Sequence, residues 1–342
     1  MDIDQTKRPD AVTELLLAQA GDLAEPVAVL DDVADGLTQA LATSGQAPRV
    51  WCDDVRAEQR VPPAWRCATP QQALEGARTV LWRLPRAVGA VGEYAELIAR
   101  HAHSGVQVVA AARDKDLARS MNSALARSFQ AVSASLGHRK ARALLASDPR
   151  PHALSWPRTA RIHPLDLNVV AHGATFNTNR LDRGTALLVR CLERLPSSAA
   201  TAIDLGCGSG ILAALLARRG LQISAVDVAW SATDATRLTA EANGATVQVE
   251  RRDGLADWRR PVDLIVTNPP FHIGSAKDTT PTRSLFAQAG RALAEHGELW
   301  CVYNSHLPYL NWLRETIGPT QIIARDRAYL VTRSRRRTGV DD

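Results

Sequence analysis

The run Val262-Asp263-Leu264-Ile265-Val266-Thr267 is followed directly by Asn268-Pro269-Pro270-Phe271-His272. An apolar run of this length reads as a buried strand. Two consecutive prolines can neither extend a ladder nor enter a helix freely, so the chain must leave the sheet there along a stiff path. A polar side chain and an aromatic ring are thereby held at the carboxyl end of a strand, which is where open α/β sheets bind ligands.

The rest of the second half supplies the context for that turn. Ala200-Thr201-Ala202-Ile203-Asp204-Leu205 runs into Gly206-Cys207-Gly208-Ser209-Gly210, with a helix expected from Ile211 to about Arg219. Glycines at a strand-to-helix turn let the backbone approach a ligand and expose the N–H groups of the helix start. Asp204, just ahead of the turn, can take a cationic ligand group or order the loop. The next strand ends at Asp227, 17 residues beyond Gly210, close to the roughly 20 at which a ribose-binding acid is expected. Asp253 follows a strand over Thr246–Glu250 and can meet an adenine amino group. A nicotinamide dinucleotide fits poorly, because the turn is G-x-G-x-G and nothing is built for a pyrophosphate. A nucleoside cofactor without phosphates, S-adenosylmethionine, fits better. A glycine turn that serves only packing is the plain alternative.

The first half repeats the alternation without that chemistry. Strands are expected at Pro26–Leu30, Arg49–Asp54, Thr79–Pro85 and Gln107–Ala111, with helices over 11–20, from about Val91 to His101, and from Lys115 to Phe129. Strands alternating with helices predict a parallel, doubly wound sheet. After the first strand stands Asp31-Asp32-Val33-Ala34-Asp35-Gly36 instead of a glycine cluster, and after the third Leu84-Pro85-Arg86-Ala87 instead of Asn-Pro-Pro. Residues 134–165, with Pro149, Pro151, Pro157 and Pro164 among basic residues, read as a linker or an exposed excursion between domains. The expected domains are 1–155, non-catalytic, and 156–338, catalytic.

Charge is distributed unevenly. Residues 1–100 carry 10 Lys/Arg against 15 Asp/Glu, whereas residues 101–150 carry 8 against 3, a bias compatible with a phosphate backbone as partner. A hydrophobic content of 45% with 23% charged residues is that of a soluble globular protein. No apolar run nears the roughly 18 residues of a membrane span, and the acidic N-terminus lacks a signal peptide's pattern, so a cytoplasmic protein is expected. Five scattered cysteines with no C-x-x-C pair and nine histidines without ligand spacing argue against disulfides and against a metal site.

Asp204 to Gly210, Asp227, Asp253 and Asn268 to His272 together resemble the motifs of class I S-adenosylmethionine-dependent methyltransferases. More narrowly the chain resembles the ribosomal-RNA guanine-N2 methyltransferases, through Phe271-His272, a Phe176 loop leading into Leu181-Asp182-x-Gly184, Asn304 to Tyr309 after the fifth strand, and a duplicate first domain that has lost its cofactor site. Asn177 departs from the pattern, which has serine after the phenylalanine. The resemblance implies two tandem Rossmann-like domains, the second with a seven-stranded sheet closed by a C-terminal hairpin over Thr320–Ala324 and Ala328–Thr332. It implies cofactor contacts from Asp204, Gly206, Cys207, Gly208, Gly210, Asp227, Val228, Asp253 and Asn268. Catalysis would fall to Asn268, Pro269, Pro270 and Phe271, without a metal, in a monomer acting on ribosomal RNA or a ribosomal subunit. Methylation of a protein glutamine amide or an adenine N6 amino group is the alternative within enzymes, since those families share the turn, usually with tyrosine in place of Phe271. A non-catalytic RNA-binding or assembly module is the alternative outside them. Asp182 reads as no more than an acid at a helix start, and Ser334–Arg337 as a basic tail.

Overall fold

The computed structural model describes residues 10–32, 36–269 and 280–337. The chain divides into two compact units, one comprising Met1–Pro157 with His172–Ala174, the other Arg158–Ala171 with Thr175–Asp342.

Among the described residues the first unit holds one six-stranded sheet: β1 (Val27–Leu30), β2 (Arg49–Trp51), β3 (Thr79–Arg83), β4 (Gln107–Arg113), β5 (Phe129–Ala134) and β6 (Ala141–Pro149), in the order β2-β1-β3-β4-β6-β5. The first four pair in parallel, and β6 and β5 are antiparallel. The second unit adds a two-stranded ribbon, β7 (Arg158–Ile162) and β8 (Leu167–Ala171). Its main sheet has seven strands: β9 (Thr201–Leu205), β10 (Gln222–Asp227), β11 (Val247–Arg251), β12 (Val262–Thr267), β13 (Leu293–Asn304), β14 (Thr320–Arg325) and β15 (Tyr329–Arg335), ordered β11-β10-β9-β12-β13-β15-β14. The expected closing hairpin is β14–β15.

Period-two burial covers both faces of this second sheet. Ala202, Leu264, Val266, Trp300 and Val302 pack into one cluster, and Ile203, Leu205, Ile265, Leu299, Cys301 and Tyr303 into another. A sheet buried on both sides needs helices on both sides, which the doubly wound connections provide. Removing β11 from the second order leaves β10-β9-β12-β13-β15-β14, the same sequence of positions as in the first unit. The correspondence extends to register: Leu30 pairs with Trp51 and Trp82 as Leu205 pairs with Val226 and Thr267.

Three expectations need correction. Residues 134–165 are not a linker throughout, because β6 lies within them as an internal strand. Its inward residues include Ala141 and Ala143, packed against Ala11, Val12, Leu15 and Leu16 of the helix Ala11–Ala20; alanines this small leave a faint alternation that the prolines mask. The helix expected over Lys115–Phe129 spans only Arg119–Leu125, and the buried Phe129 opens β5. The basic tail begins inside β15, where Arg335 Nε lies 3.0 Å from the buried Glu298 carboxylate. No helix among the described residues is long and apolar enough to cross a membrane.

One side chain fastens β9 to β12 at the end where both begin. Asp263 Oδ2 accepts from the backbone N–H of Ala200 and Thr201 and from the Thr201 hydroxyl, each at 2.9 Å. Burial pushes the carboxyl up, but these donors outweigh it and hold it below its ordinary value of 3.8. Asp263→Ala is expected to lower the unfolding free energy of the second unit by about 1–3 kcal/mol. A group with a depressed folded pKa stabilises above its ordinary pKa and ceases to as pH falls. Urea titrations should therefore show the wild-type advantage shrinking as pH drops below 3.8.

Candidate functional site

Parallel pairing of β11, β10, β9 and β12 sets four carboxyl ends at one edge of the second sheet. Asp204 on β9 stands opposite Ala225 on β10 and Val266 on β12. Asp227 is the last residue of β10, Asp253 follows β11 in an exposed bend, and Asn268 is the first residue past β12. The chain leaves β9 toward β10 on one side and β12 lies on the other, so the crevice of a topological switch point opens at these residues. Pro269 is buried beside Asn268. Pro270, Phe271 and His272 lie outside the described residues.

The three glycines of the turn do different things. Gly206, Gly208 and Gly210 adopt φ values of 78°, 55° and 76°, where a side chain is strained. A Cβ at Gly210 would lie 2.9 Å from Thr236 Cα, so this glycine admits the helix Trp230–Ala242. A Cβ at Gly206 or Gly208 would meet nothing within 4 Å, which leaves that side of the turn open. Val226 O accepts from the N–H groups of Gly206 at 2.8 Å and Cys207 at 3.1 Å. The Asp227 carboxylate accepts from Gly208 N at 3.2 Å and Ala229 N at 3.0 Å, around the half-buried Val228. The Cys207 thiol is buried and its pKa raised by that burial, so the residue has its backbone to offer rather than a nucleophile.

Two acceptors in this cluster are buried and have no hydrogen-bond partner among the described residues. One is Asp204 Oδ1. The other oxygen of Asp204 accepts from Ala213 N at 2.9 Å, and burial, helped by the charge of Asp227, pushes the carboxyl up to about 7. A cationic group would satisfy this site, since an unpartnered buried acceptor is costly. The second acceptor is Asn268 Oδ1. The Asn268 amide nitrogen donates to Thr185 Oγ1 at 3.0 Å and to Asp182 Oδ1 at 3.3 Å.

Asp182 therefore does more than begin a helix. Its carboxylate caps Arg183–Val189 by accepting from Gly184 N at 2.9 Å and Thr185 N at 3.1 Å, while also holding Asn268. The helix start was legible in the sequence, but the link to Asn268 spans 86 positions and had no local signal. Thr185 was missed for the same reason.

The loop that leads into Asp182 carries the one aromatic side chain of this stretch, Phe176. Phe176 is 62% exposed, and Asn177 and Thr178 follow with φ of 53° and 52°. Asparagine is at ease in this left-handed region, and its side-chain nitrogen donates to Arg180 O at 3.0 Å, a backbone reason for its place after the phenylalanine. Tyr309 is 3% exposed and packs against Phe286, Tyr303 and Trp312, so it belongs to the core. His306 is exposed. Among the described residues no group of three or more His, Cys, Asp or Glu is placed to hold a metal ion.

The raised Asp204 pKa fixes a sign for stability. The folded state holds this proton more tightly than the unfolded chain, so its stabilisation is present below 3.8 and is lost as pH rises to about 7. Thermal melts of the ligand-free wild type and Asp204→Asn, which carries no titrating group there, should show the wild type gaining on the variant between pH 8 and pH 5.5. A constant difference in Tm across that range would count against the buried, ionisable carboxyl.

Comparison with known proteins gives the site its setting. The family model described as methyltransferase small domain matches residues 166–333, and the RLMG N-terminal domain model matches residues 7–150. A ribosomal RNA large subunit methyltransferase G of Streptomyces griseus is 34% identical over 275 residues, covering 75% of this chain and 71% of its own. A ribosomal RNA small subunit methyltransferase C of Alcanivorax borkumensis is 35% identical over 170 residues, and the match spans 49% of this chain and 52% of that relative's length. The solved T. thermophilus 16S rRNA N2 G1207 methyltransferase, in complex with AdoMet and guanosine, has the same fold, with a TM-score of 0.79 at 23% identity over 95% of this chain and 92% of its own. The chain accordingly belongs to the ribosomal RNA methyltransferase family that joins an RLMG N-terminal domain to a methyltransferase small domain.

Proposed function

We propose that this chain transfers a methyl group from S-adenosylmethionine to the exocyclic N2 amino group of a guanine in ribosomal RNA. The observation that carries the reading is the pair of buried acceptors, Asp204 Oδ1 and Asn268 Oδ1, that have no partner among the described residues and stand at the ends of adjacent strands. One suits a cationic cofactor and the other an N–H donor of the acceptor base. The names of the relatives support ribosomal RNA as the substrate.

Asp204, Gly206, Cys207, Gly208 and Gly210 would hold the cofactor at the glycine turn, Asp227 its ribose hydroxyls, and Val228 and Asp253 its adenine. The bound cofactor supplies the electrophilic methyl sulfonium. A guanine amino group is a poor nucleophile because its lone pair is delocalised into the ring. Asn268 Oδ1 and the Pro269 carbonyl accept its two hydrogens and localise that lone pair; proline offers a carbonyl with no competing N–H. Phe271 stacks on the base, a contact worth roughly 1–3 kcal/mol, and Pro270 stiffens the turn. Catalysis is mainly positioning. The new N–C bond would form as the sulfonium's S–C bond breaks, the thioether would leave neutral, and the nitrogen's surplus proton would pass to solvent, so no general base is assigned. The base reaches the crevice flipped or unpaired.

Residues 1–155 are the non-catalytic duplicate in this reading, and 156–338 carry the chemistry. Support comes from what replaces the cofactor turn. Asp31 N donates to Trp51 O at 2.9 Å, as Gly206 N does to Val226 O. Asp31 thus occupies the glycine's position at φ 60°, and its carboxylate accepts from Asp53 N at 2.8 Å. Register places Cys52 where Asp227 stands and Arg83 where Asn268 stands. The monomeric protein would work in the cytoplasm, where its ribosomal substrate is.

Asn268→Ala should reduce methyl transfer by about 100-fold or more, the scale of losing one preorganised polar contact to the reacting group, with cofactor affinity retained. Asp227→Ala should weaken S-adenosylmethionine binding in calorimetry by about tenfold to 100-fold; unchanged affinity would move the cofactor elsewhere. Incubation with tritiated cofactor and ribosomal subunits from a strain lacking this chain, followed by nucleoside analysis, tests the substrate. Label in N2-methylguanosine supports the reading, whereas label only in adenosine, only in added release-factor protein, or nowhere overturns it.

A further inference from the structure

We propose that Asp182 and Thr185 are positioning residues that lock the Asn268 amide with its nitrogen inward and its oxygen presented to the acceptor nitrogen. The inference rests on the reading of Asn268 as the residue that binds the reacting amino group. An asparagine amide turned over in place would offer donors instead of an acceptor, and would repel the N–H groups it has to receive. The local sequence does nothing to choose between the two orientations.

Asp182 chooses. A carboxylate can only accept, so the edge of the amide facing Asp182 Oδ1 at 3.3 Å must be the NH2 edge. Thr185 Oγ1 accepts the second hydrogen at 3.0 Å. Both amide hydrogens are then consumed, and Oδ1 is left buried with no partner among the described residues. The anchor is itself rigid, because the same Asp182 oxygen caps the helix Arg183–Val189 through Gly184 N and Thr185 N.

The first unit contains the same device with a different occupant. Asp10 caps the helix Ala11–Ala20, accepting from Val12 N and Thr13 N, and Thr13 stands three residues after the cap as Thr185 does after Asp182. The residue gripped is Arg83, whose Nη2 lies 2.7 Å from Asp10 Oδ2 and 2.9 Å from Thr13 Oγ1. Arg83 occupies the register position of Asn268. The grip takes donors in both units. Guanidinium carries donors alone, so nothing is left over to receive a substrate N–H. An amide carries donors on one edge and an acceptor on the other, and a grip on the first exposes the second.

The test uses the full chain with tritiated S-adenosylmethionine and ribosomal subunits from a strain lacking it. Asp182→Ser keeps a good helix cap, but its shorter hydroxyl both donates and accepts and so no longer dictates the amide's orientation. Thr185→Val removes the second acceptor at constant shape. Each should lower kcat about tenfold, and the double variant about 100-fold, with KM for subunits and the cofactor Kd within about threefold of wild type. Thr185→Ser, in which the hydroxyl returns, should recover the rate lost in Thr185→Val. Unchanged kcat in the double variant, or a loss of cofactor affinity that parallels the loss of kcat, overturns the positioning role. Asn268→Ala separates the two levels. If that variant is inactive while the double variant is fully active, only the grip is wrong; if it transfers methyl groups at the wild-type rate, the reading of the site fails with it.

Discussion

The pairing of β9 with β10 on one side and β12 on the other is the constraint from which the rest of the site follows. Parallel strands in fixed register carry no adjustable offset, so the residues after each strand emerge at one level. Asp204, Asp227 and Asn268 are far apart in sequence and become neighbours only because Leu205 pairs with both Val226 and Thr267. The Thr267 hydroxyl, donating to Leu205 O at 2.7 Å, and the Asp263 carboxylate at the opposite ends reinforce the same pair of strands. A one-residue slip would turn Asp204 away from its buried position and break period-two burial on both faces.

The two units show how little of a fold its chemistry occupies. Their sheets share a strand order and a register at the switch point, and their first helices share a capped, threonine-braced start. At the ends of the corresponding strands the two units differ residue by residue: Asp31 for Gly206, Cys52 for Asp227, Arg83 for Asn268. Each exchange leaves the sheet intact. Asp31 pays for the left-handed backbone with a hydrogen bond to Asp53 N, where Gly206 pays nothing and keeps the turn open. The two units thus share a plan and differ in what stands at the ends of its strands.

Legibility in the sequence followed locality. The strand, glycine turn and helix at Thr201–Arg218 were readable because each signal sits within a few residues of the next, and the double proline after Asn268 marks a strand end on its own. β6 was not readable, because small alanines carry little hydrophobic contrast and the prolines nearby suggest a break. The basic tail at Ser334–Arg337 begins within the closing strand, where Arg335 is held by a buried glutamate 37 positions away. Asp182 was legible as a helix start and illegible as the partner of Asn268.

All five cysteines are buried, two in the first unit and three in the second. A buried thiol meets an alkylating reagent only when its surroundings open, so reactivity measures opening and not chemistry. Cys52 and Cys67 report on one unit; Cys191, Cys207 and Cys301 report on the other. The chain carries, without added labels, a separate clock for the opening of each domain. Cys207 lies within the glycine turn itself, so its labelling requires that turn to open.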